Sequence, residues 1–175
     1  MKILTKEQLT ALRAIITPDN LQSVDENTRK VLDELINDDD SINTVSLFVD
    51  GAADLHTKTA GIGGVFLGEN NEELYRFSKY LDDATNNEAE YSALIRGLEL
   101  GLELNIMDIK IYADSELVVK QVNGEYKVKH ERMRPLHRKA IALLCQYSNW
   151  ILQHVPREDN TIADKLSKEG MEQGR

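Results

Sequence analysis

The chain is predicted to fold as an α/β domain on a five-stranded sheet, preceded by a helical hairpin. Three observations carry that prediction. In TVSLFVDG (residues 44–51), Val45, Leu47 and Val49 alternate with Ser46 and Phe48, so both faces carry bulk, as a central covered strand requires. Strand-like and helix-like periods then follow in the order β, β, β, α, β, α, α, β, α. Finally, the first and fourth strands each stop on an aspartate, Asp50 and Asp114, which is costly unless something pairs with the charge.

Composition narrows the class. A length of 175 residues fits one domain with a short appendage, and 41% hydrophobic with 6% aromatic residues is ordinary for a globular protein. No apolar run approaches the roughly 20 residues of a membrane span, and MKILTKEQLT lacks a signal peptide's apolar core, so the expected setting is cytoplasmic, with no membrane partner. The lone Cys145 excludes an internal disulfide and a cysteine metal site. A net charge of −9 argues against a general nucleic-acid coat.

Residues 1–43 read as a separate N-terminal helical segment, ahead of a domain spanning 44–175. Thr5 and Gln8 form a capping box, with Leu9, Leu12, Ile15 and Ile16 at helical spacing until Pro18. Ser23 and Glu26 open a second helix, striped by Val31, Leu32, Leu35 and Ile36. With five Lys or Arg against nine Asp or Glu over residues 1–40, this hairpin would repel a phosphate backbone. It either packs on its own domain or meets a protein partner or a second copy.

The strands come next. Ala60–Leu67 and Glu73–Leu81 complete an antiparallel meander with the first strand. The Gly61, Gly63 and Gly64 cluster lacks the following helix and Lys-Ser/Thr of a phosphate loop, so it marks a close approach to backbone. Helix 84–104 opens on a Thr85–Glu88 capping box, and its stripe of Glu90, Ala93, Leu94, Gly97 and Gly101 puts one carboxylate on the face toward the sheet. Asp108–Asp114 is the fourth strand, after which Ser115 caps a helix closed by Gly124. Asp114 taken alone could equally be a helix cap.

Between Lys120 and Lys139 seven Lys or Arg face only Glu125 and Glu131, an excess suited to a polyanion, with Lys127 and Lys129 the candidate backbone contacts. Tyr126 lies among them, to stack or to pack. A helix around 135–147, a fifth strand at 150–155 and a last helix capped by Asn160 or Asp159 close the chain, with Asp164 on the face of Asn160. The reading of the set is that Asp50, Glu90, Asp114 and Asp164 converge on metal. Hard carboxylate oxygens suit Mg²⁺ or Mn²⁺, and no Cys or His cluster offers itself to zinc. Crowded carboxylates without metal should repel, raising the pKa of at least one.

At these residues the chain resembles ribonuclease H of type 1: VDG, TNNEAEYSALIRGL, YADSELVVKQVNG and HVPREDNTIAD match that family's motifs over about residues 44–170. It looks most like the compact branch lacking the basic handle helix, and residues 1–43 have neither the aromatics nor the charge of the family's hybrid-binding domain. The resemblance implies a mixed sheet, strands 1 to 3 antiparallel and strands 4 and 5 parallel. It also implies two divalent ions, Mg²⁺ with Mn²⁺ as a substitute, Asp50 bridging them, Glu90 and Asp114 on one and Asp164 on the other. The implied reaction is two-ion hydrolysis of the RNA strand of RNA/DNA hybrids, leaving 5′-phosphate and 3′-hydroxyl ends. His154 would shuttle a proton or help product leave. Gly51, Asn86, Asn87 and Glu90 would read the minor groove and 2′-hydroxyls, Thr85 would grip a DNA phosphate, and Ser115 and Asn160 join the substrate contacts. Cleavage of double-stranded RNA stays open. So do two rival functions, a DNA-directed nuclease of the same fold and a non-catalytic adaptor.

Overall fold

The structure, a computed structural model, describes residues 24–29 and 45–173. The expected helix at residues 5–16 and the stripe at 31–36 lie outside the described residues. Residues 26–29 form a helical turn that Asp25 caps, its Oδ1 accepting from the N–H groups of Asn27 and Thr28 at 3.1 and 3.0 Å. An aspartate there outcompetes weaker acceptors for the free N–H groups of the first turn.

From residue 45 the elements are β1 (Val45–Asp54), β2 (Thr59–Leu67), β3 (Glu73–Asp82), α1 (Asn86–Glu103), β4 (Asp108–Ala113), α2 (Glu116–Val122), α3 (Met133–Leu144), β5 (Asn149–His154) and α4 (Thr161–Glu172). A 3₁₀ turn, Arg157–Asp159, joins the last two. The five strands form one mixed sheet in the order β3-β2-β1-β4-β5. β1 pairs antiparallel with β2 and parallel with β4; β2 pairs antiparallel with β3, and β4 parallel with β5. This is the expected ribonuclease H-like fold class.

The two faces of the sheet are read from residue parity on β1. Leu47 and Val49 point to α1, where Gly97 lies over both, and with Leu94, Leu98, Ile109 and Ile111 they form the buried core. Every residue of the predicted stripe Glu90, Ala93, Leu94, Gly97 and Gly101 is buried. The opposite face meets α4. Gly63 of β2 makes that approach possible, because a Cβ there would stand 2.3 Å from the backbone nitrogen of Ser167.

Three boundaries differ from expectation. β1 continues past Gly51 to Asp54 because β2 pairs with it down to Asp54–Thr59, whereas β4 stops at Val49–Ala113. Asp50 is therefore not at a strand terminus but where β1 loses one of its two neighbours. α3 starts at Met133 and takes Pro135 into its first turn, where a missing N–H costs nothing. Ser115 and Asn160 occupy N-cap positions without capping through their side chains, and Asn160 is committed elsewhere, as the site makes clear.

Candidate active site

Register brings the first two acids together. Val49 pairs with Ala113 across the parallel β1–β4 ladder, so Asp50 and Asp114 are adjacent where the two strands part, about 5 Å apart in backbone spacing. Glu90 arrives from α1, one turn inside a helix fixed by its capping box. Thr85 Oγ1 donates to the Glu88 carboxylate at 2.7 Å while the Glu88 N–H reaches back to Thr85. That first turn crosses β1 at Gly51, where a Cβ would lie 2.2 Å from the carbonyl carbon of Ala89. Only glycine admits the helix this closely, and its backbone N–H is near enough to the Glu90 carboxyl to draw its pKa down a little.

One carboxylate oxygen from each of Asp50, Glu90 and Asp114 lies within 4.8 Å of the other two. Asp50 is 4% exposed and Glu90 7%. Burial first, then the charges of Asp50 and Asp114, push the Glu90 carboxyl up to about 9. Burial likewise raises Asp50 to about 6; the Ser167 hydrogen bond pulls it down, and the charges of Asp114 and Asp164 add to the rise. These are acids set against one another by the fold, as repulsion among crowded carboxylates requires. A donor set of three hard oxygens, without Cys or His, fits Mg²⁺ or Mn²⁺, whose positive charge would remove the repulsion.

Asp164, expected with these three, is near them but engaged otherwise. Its Oδ1 accepts from Arg157 and its Oδ2 from Lys168 at 2.5 Å. Burial opposes its ionisation, and the hydrogen bonds and charges of Lys168 and Arg157 outweigh that and hold its pKa below the ordinary value. The Arg157 guanidinium is also in electrostatic reach of Asp50, Asp114 and Glu90. Its charge partly offsets that of the cluster.

Asn160 is 1% exposed, and its Nδ2 donates to the Val49 carbonyl at 2.9 Å and to Asp114 Oδ1 at 3.3 Å. It ties the start of α4 to β1 at the residue before Asp50, and its own Oδ1 is buried without a partner. His154 pairs in register with Ala113, exposed at the end of β5 and outside the three-acid cluster. Asn86 and Asn87 are exposed on the first turn of α1, Thr85 is half-buried before them, and Ser115 is half-buried beside Asp114. Lys127 and Lys129 are exposed in the segment joining α2 to α3, where Lys120 stands 5.0 Å from the Tyr126 ring centroid.

Sequence reasoning missed Arg157 and Ser167. Arg157 lies in an irregular turn seven residues before its partner, outside any helical or strand period. Ser167 was visible in principle as a hydroxyl on the buried stripe Ala163, Leu166, Ser167, Gly170 of α4. Glu88, expected in the capping box with Thr85 and found there, also pairs with Arg132 at 2.7 Å.

Residues 48–170 match the family described as Reverse transcriptase-like. Ribonuclease H1 from the halophilic archaeon Halobacterium salinarum is 32% identical and superposes with a TM-score of 0.71, over 74% of this chain and 98% of the archaeal one. The chain belongs to the type 1 ribonuclease H family. Within this ribonuclease H family, LC11-RNase H1, whose structure holds an RNA/DNA hybrid, is 35% identical with a TM-score of 0.69, covering 75% of this chain and 99% of LC11. The Bifunctional protein Rv2228c of Mycobacterium tuberculosis is 35% identical over 129 residues, 73% of this chain. The chain spans 35% of that relative's length and 64% of the curated Halobacterium Ribonuclease HI. Among the described residues, no helix is long and apolar enough to cross a membrane.

Proposed function

We propose that this chain is an endoribonuclease that hydrolyses the RNA strand of RNA/DNA hybrids, leaving 5′-phosphate and 3′-hydroxyl ends. The observation that carries this reading is the convergence of Asp50, Glu90 and Asp114 from two strands and a helix, with oxygens within 4.8 Å and two of the three acids buried. The hybrid seen with LC11-RNase H1 supports the substrate class.

In this reading Asp50, Glu90, Asp114 and Asp164 would hold two Mg²⁺ ions, or Mn²⁺ in their place. Bound there, the ions supply Lewis-acid activation of water and neutralise charge at the phosphate and the leaving 3′ oxygen. The rest falls to the chain. Gly51 and the exposed amides of Asn86 and Asn87 face the minor groove, where 2′-hydroxyls distinguish RNA from DNA. Thr85 and Ser115 border the same opening, and Asn160 serves the substrate indirectly by fixing Asp114. His154 carries a proton away from the site as product leaves. Lys127 and Lys129, unhindered and exposed, neutralise phosphates of the DNA strand.

Residues 44–175 form the catalytic domain, in a cytoplasmic setting consistent with the single cysteine, and residues 1–43 are a separate N-terminal segment. The test is an end-labelled RNA/DNA hybrid offered beside duplex RNA and duplex DNA, with Mg²⁺ or Mn²⁺. Cleavage of the RNA strand of the hybrid, abolished by EDTA, is the expected result. Cleavage of duplex DNA instead favours the DNA-directed nuclease, and tight binding without cleavage favours the adaptor.

A further inference from the structure

We infer that Ser167 is a positioning residue for the metal centre, its hydroxyl fixing the Asp50 carboxylate in the orientation that meets Glu90 and Asp114. The inference rests on the metal-dependent reading above and concerns a residue of α4 outside the carboxylate set.

The sequence builds this contact in three steps. Asp50 pairs with Gly63 across the β1–β2 ladder. Because Gly63 has no side chain, the backbone of α4 settles on the sheet beside Asp50, with Ser167 N and Leu166 Cβ occupying the space a Cβ would need, 2.3 and 2.5 Å from it. A serine on the buried stripe of α4 then lands under the carboxylate. Ser167 is fully buried, and its Oγ donates to Asp50 Oδ2. Among the described residues no other side-chain hydroxyl or amide hydrogen-bonds to Asp50.

The same Oγ is 2.8 Å from the carbonyl of Asp164, one turn earlier on α4. One hydroxyl therefore stands between the acid at the centre of the cluster and the turn that presents the fourth. An alanine would fit this space but would leave the Asp50 carboxylate without the one side-chain hydroxyl that fixes its rotation. Outer hydrogen bonds that orient metal-binding carboxylates are commonly worth about 10–100-fold in metal affinity. Orientation of one ligand oxygen is what Mg²⁺, with its demand for near-octahedral geometry, is most sensitive to.

The experiment is Mg²⁺ titration by calorimetry on the full chain, comparing wild type, Ser167→Ala and Ser78→Ala. Ser78 is the control because its Oγ donates to the Leu166 carbonyl at 2.8 Å, tethering the same stretch of α4 without touching Asp50. Ser167→Ala should weaken Mg²⁺ binding roughly 10-fold, and raise by a similar factor the Mg²⁺ concentration giving half-maximal hybrid cleavage, while KM for hybrid changes less than about twofold. Ser78→Ala should leave Mg²⁺ binding as in wild type, and thermal melts in EDTA confirm that both variants fold. Equal Mg²⁺ affinity in wild type and Ser167→Ala overturns the inference, as does equal weakening in both variants, which would mean that loosening α4 suffices. A wild type that binds no Mg²⁺ overturns instead the metal-dependent function on which it rests.

Discussion

Replacing Asp50 by Asn separates what the acid does for chemistry from what it costs the fold. In the metal-free protein the Asp50 carboxyl is raised from the ordinary 3.8 to about 6. A shift of that size corresponds to about 3 kcal/mol of destabilisation when the group is ionised. Because the folded value lies above the unfolded one, the protonated group's contribution is whole below pH 3.8 and is lost as pH rises through 6. Asn removes the charge, keeps an oxygen that can accept from Ser167, and relieves Glu90 of its nearest repulsive neighbour. The variant should therefore be more stable than wild type in EDTA at pH 8 by about 3 kcal/mol, on the order of 10 °C in Tm for a domain of this size. At pH 5 about half the advantage should remain, at pH 4 about a fifth, and near pH 3 almost none. Excess Mg²⁺ should reverse the order by stabilising wild type alone, and cleavage should be abolished. The assay is urea or thermal unfolding across pH with and without metal. An Asp50→Asn protein no more stable than wild type at pH 8 in EDTA, or one with near-normal turnover, would refute the crowding argument and the assigned role respectively.

Three further outcomes follow from the same geometry. Glu90→Gln should also stabilise the metal-free protein and abolish cleavage, but its advantage should keep growing with pH up to about 9, where that of Asp50→Asn levels off above 6; unfolding curves at pH 6, 8 and 9 distinguish them. Asn87→Ala should weaken binding of RNA/DNA hybrid more than binding of Mg²⁺, and equal losses in the two titrations would remove it from the groove. Lys127→Ala and Lys129→Ala should each lower hybrid affinity and reduce the salt slope of log K by about one; unchanged slopes in fluorescence anisotropy would make these lysines bystanders.

What the sequence made legible depended on period. The β1 run, the stripe of α1 and the Thr85–Glu88 box are local patterns, and from them the first strand, the helix start and the buried glutamate could be written down, while the mixed pairing of the strands came with the resemblance to ribonuclease H and the convergence with the acids taken as a set. Parity on β1, which sets Asp50 on the α4 face and Leu47 and Val49 on the α1 face, is read from the structure. Contacts that join distant segments without a period were not legible. Asn160 reads as a helix cap because Asn caps helices, yet its amide is taken by the carbonyl of Val49, 111 residues away. Asp164 reads as a member of the acidic set, but its ion pairs with Arg157 and Lys168 left no periodic signal in the sequence. The extension of β1 past Gly51 left no trace in hydrophobicity, because Ala52, Ala53 and Asp54 are held by pairing to β2 rather than by burial of bulk.

The claim on which the account depends is that Asp50, Glu90 and Asp114 together grasp divalent metal. A crystal of the full chain soaked in Mn²⁺, with anomalous diffraction measured at the manganese edge, tests it directly. The account predicts an anomalous peak within about 2.0–2.3 Å of oxygens from all three carboxylates, with Asp164 turned from Arg157 toward a second peak. Anomalous density confined to surface carboxylates, in a protein that still cleaves hybrid, would contradict it.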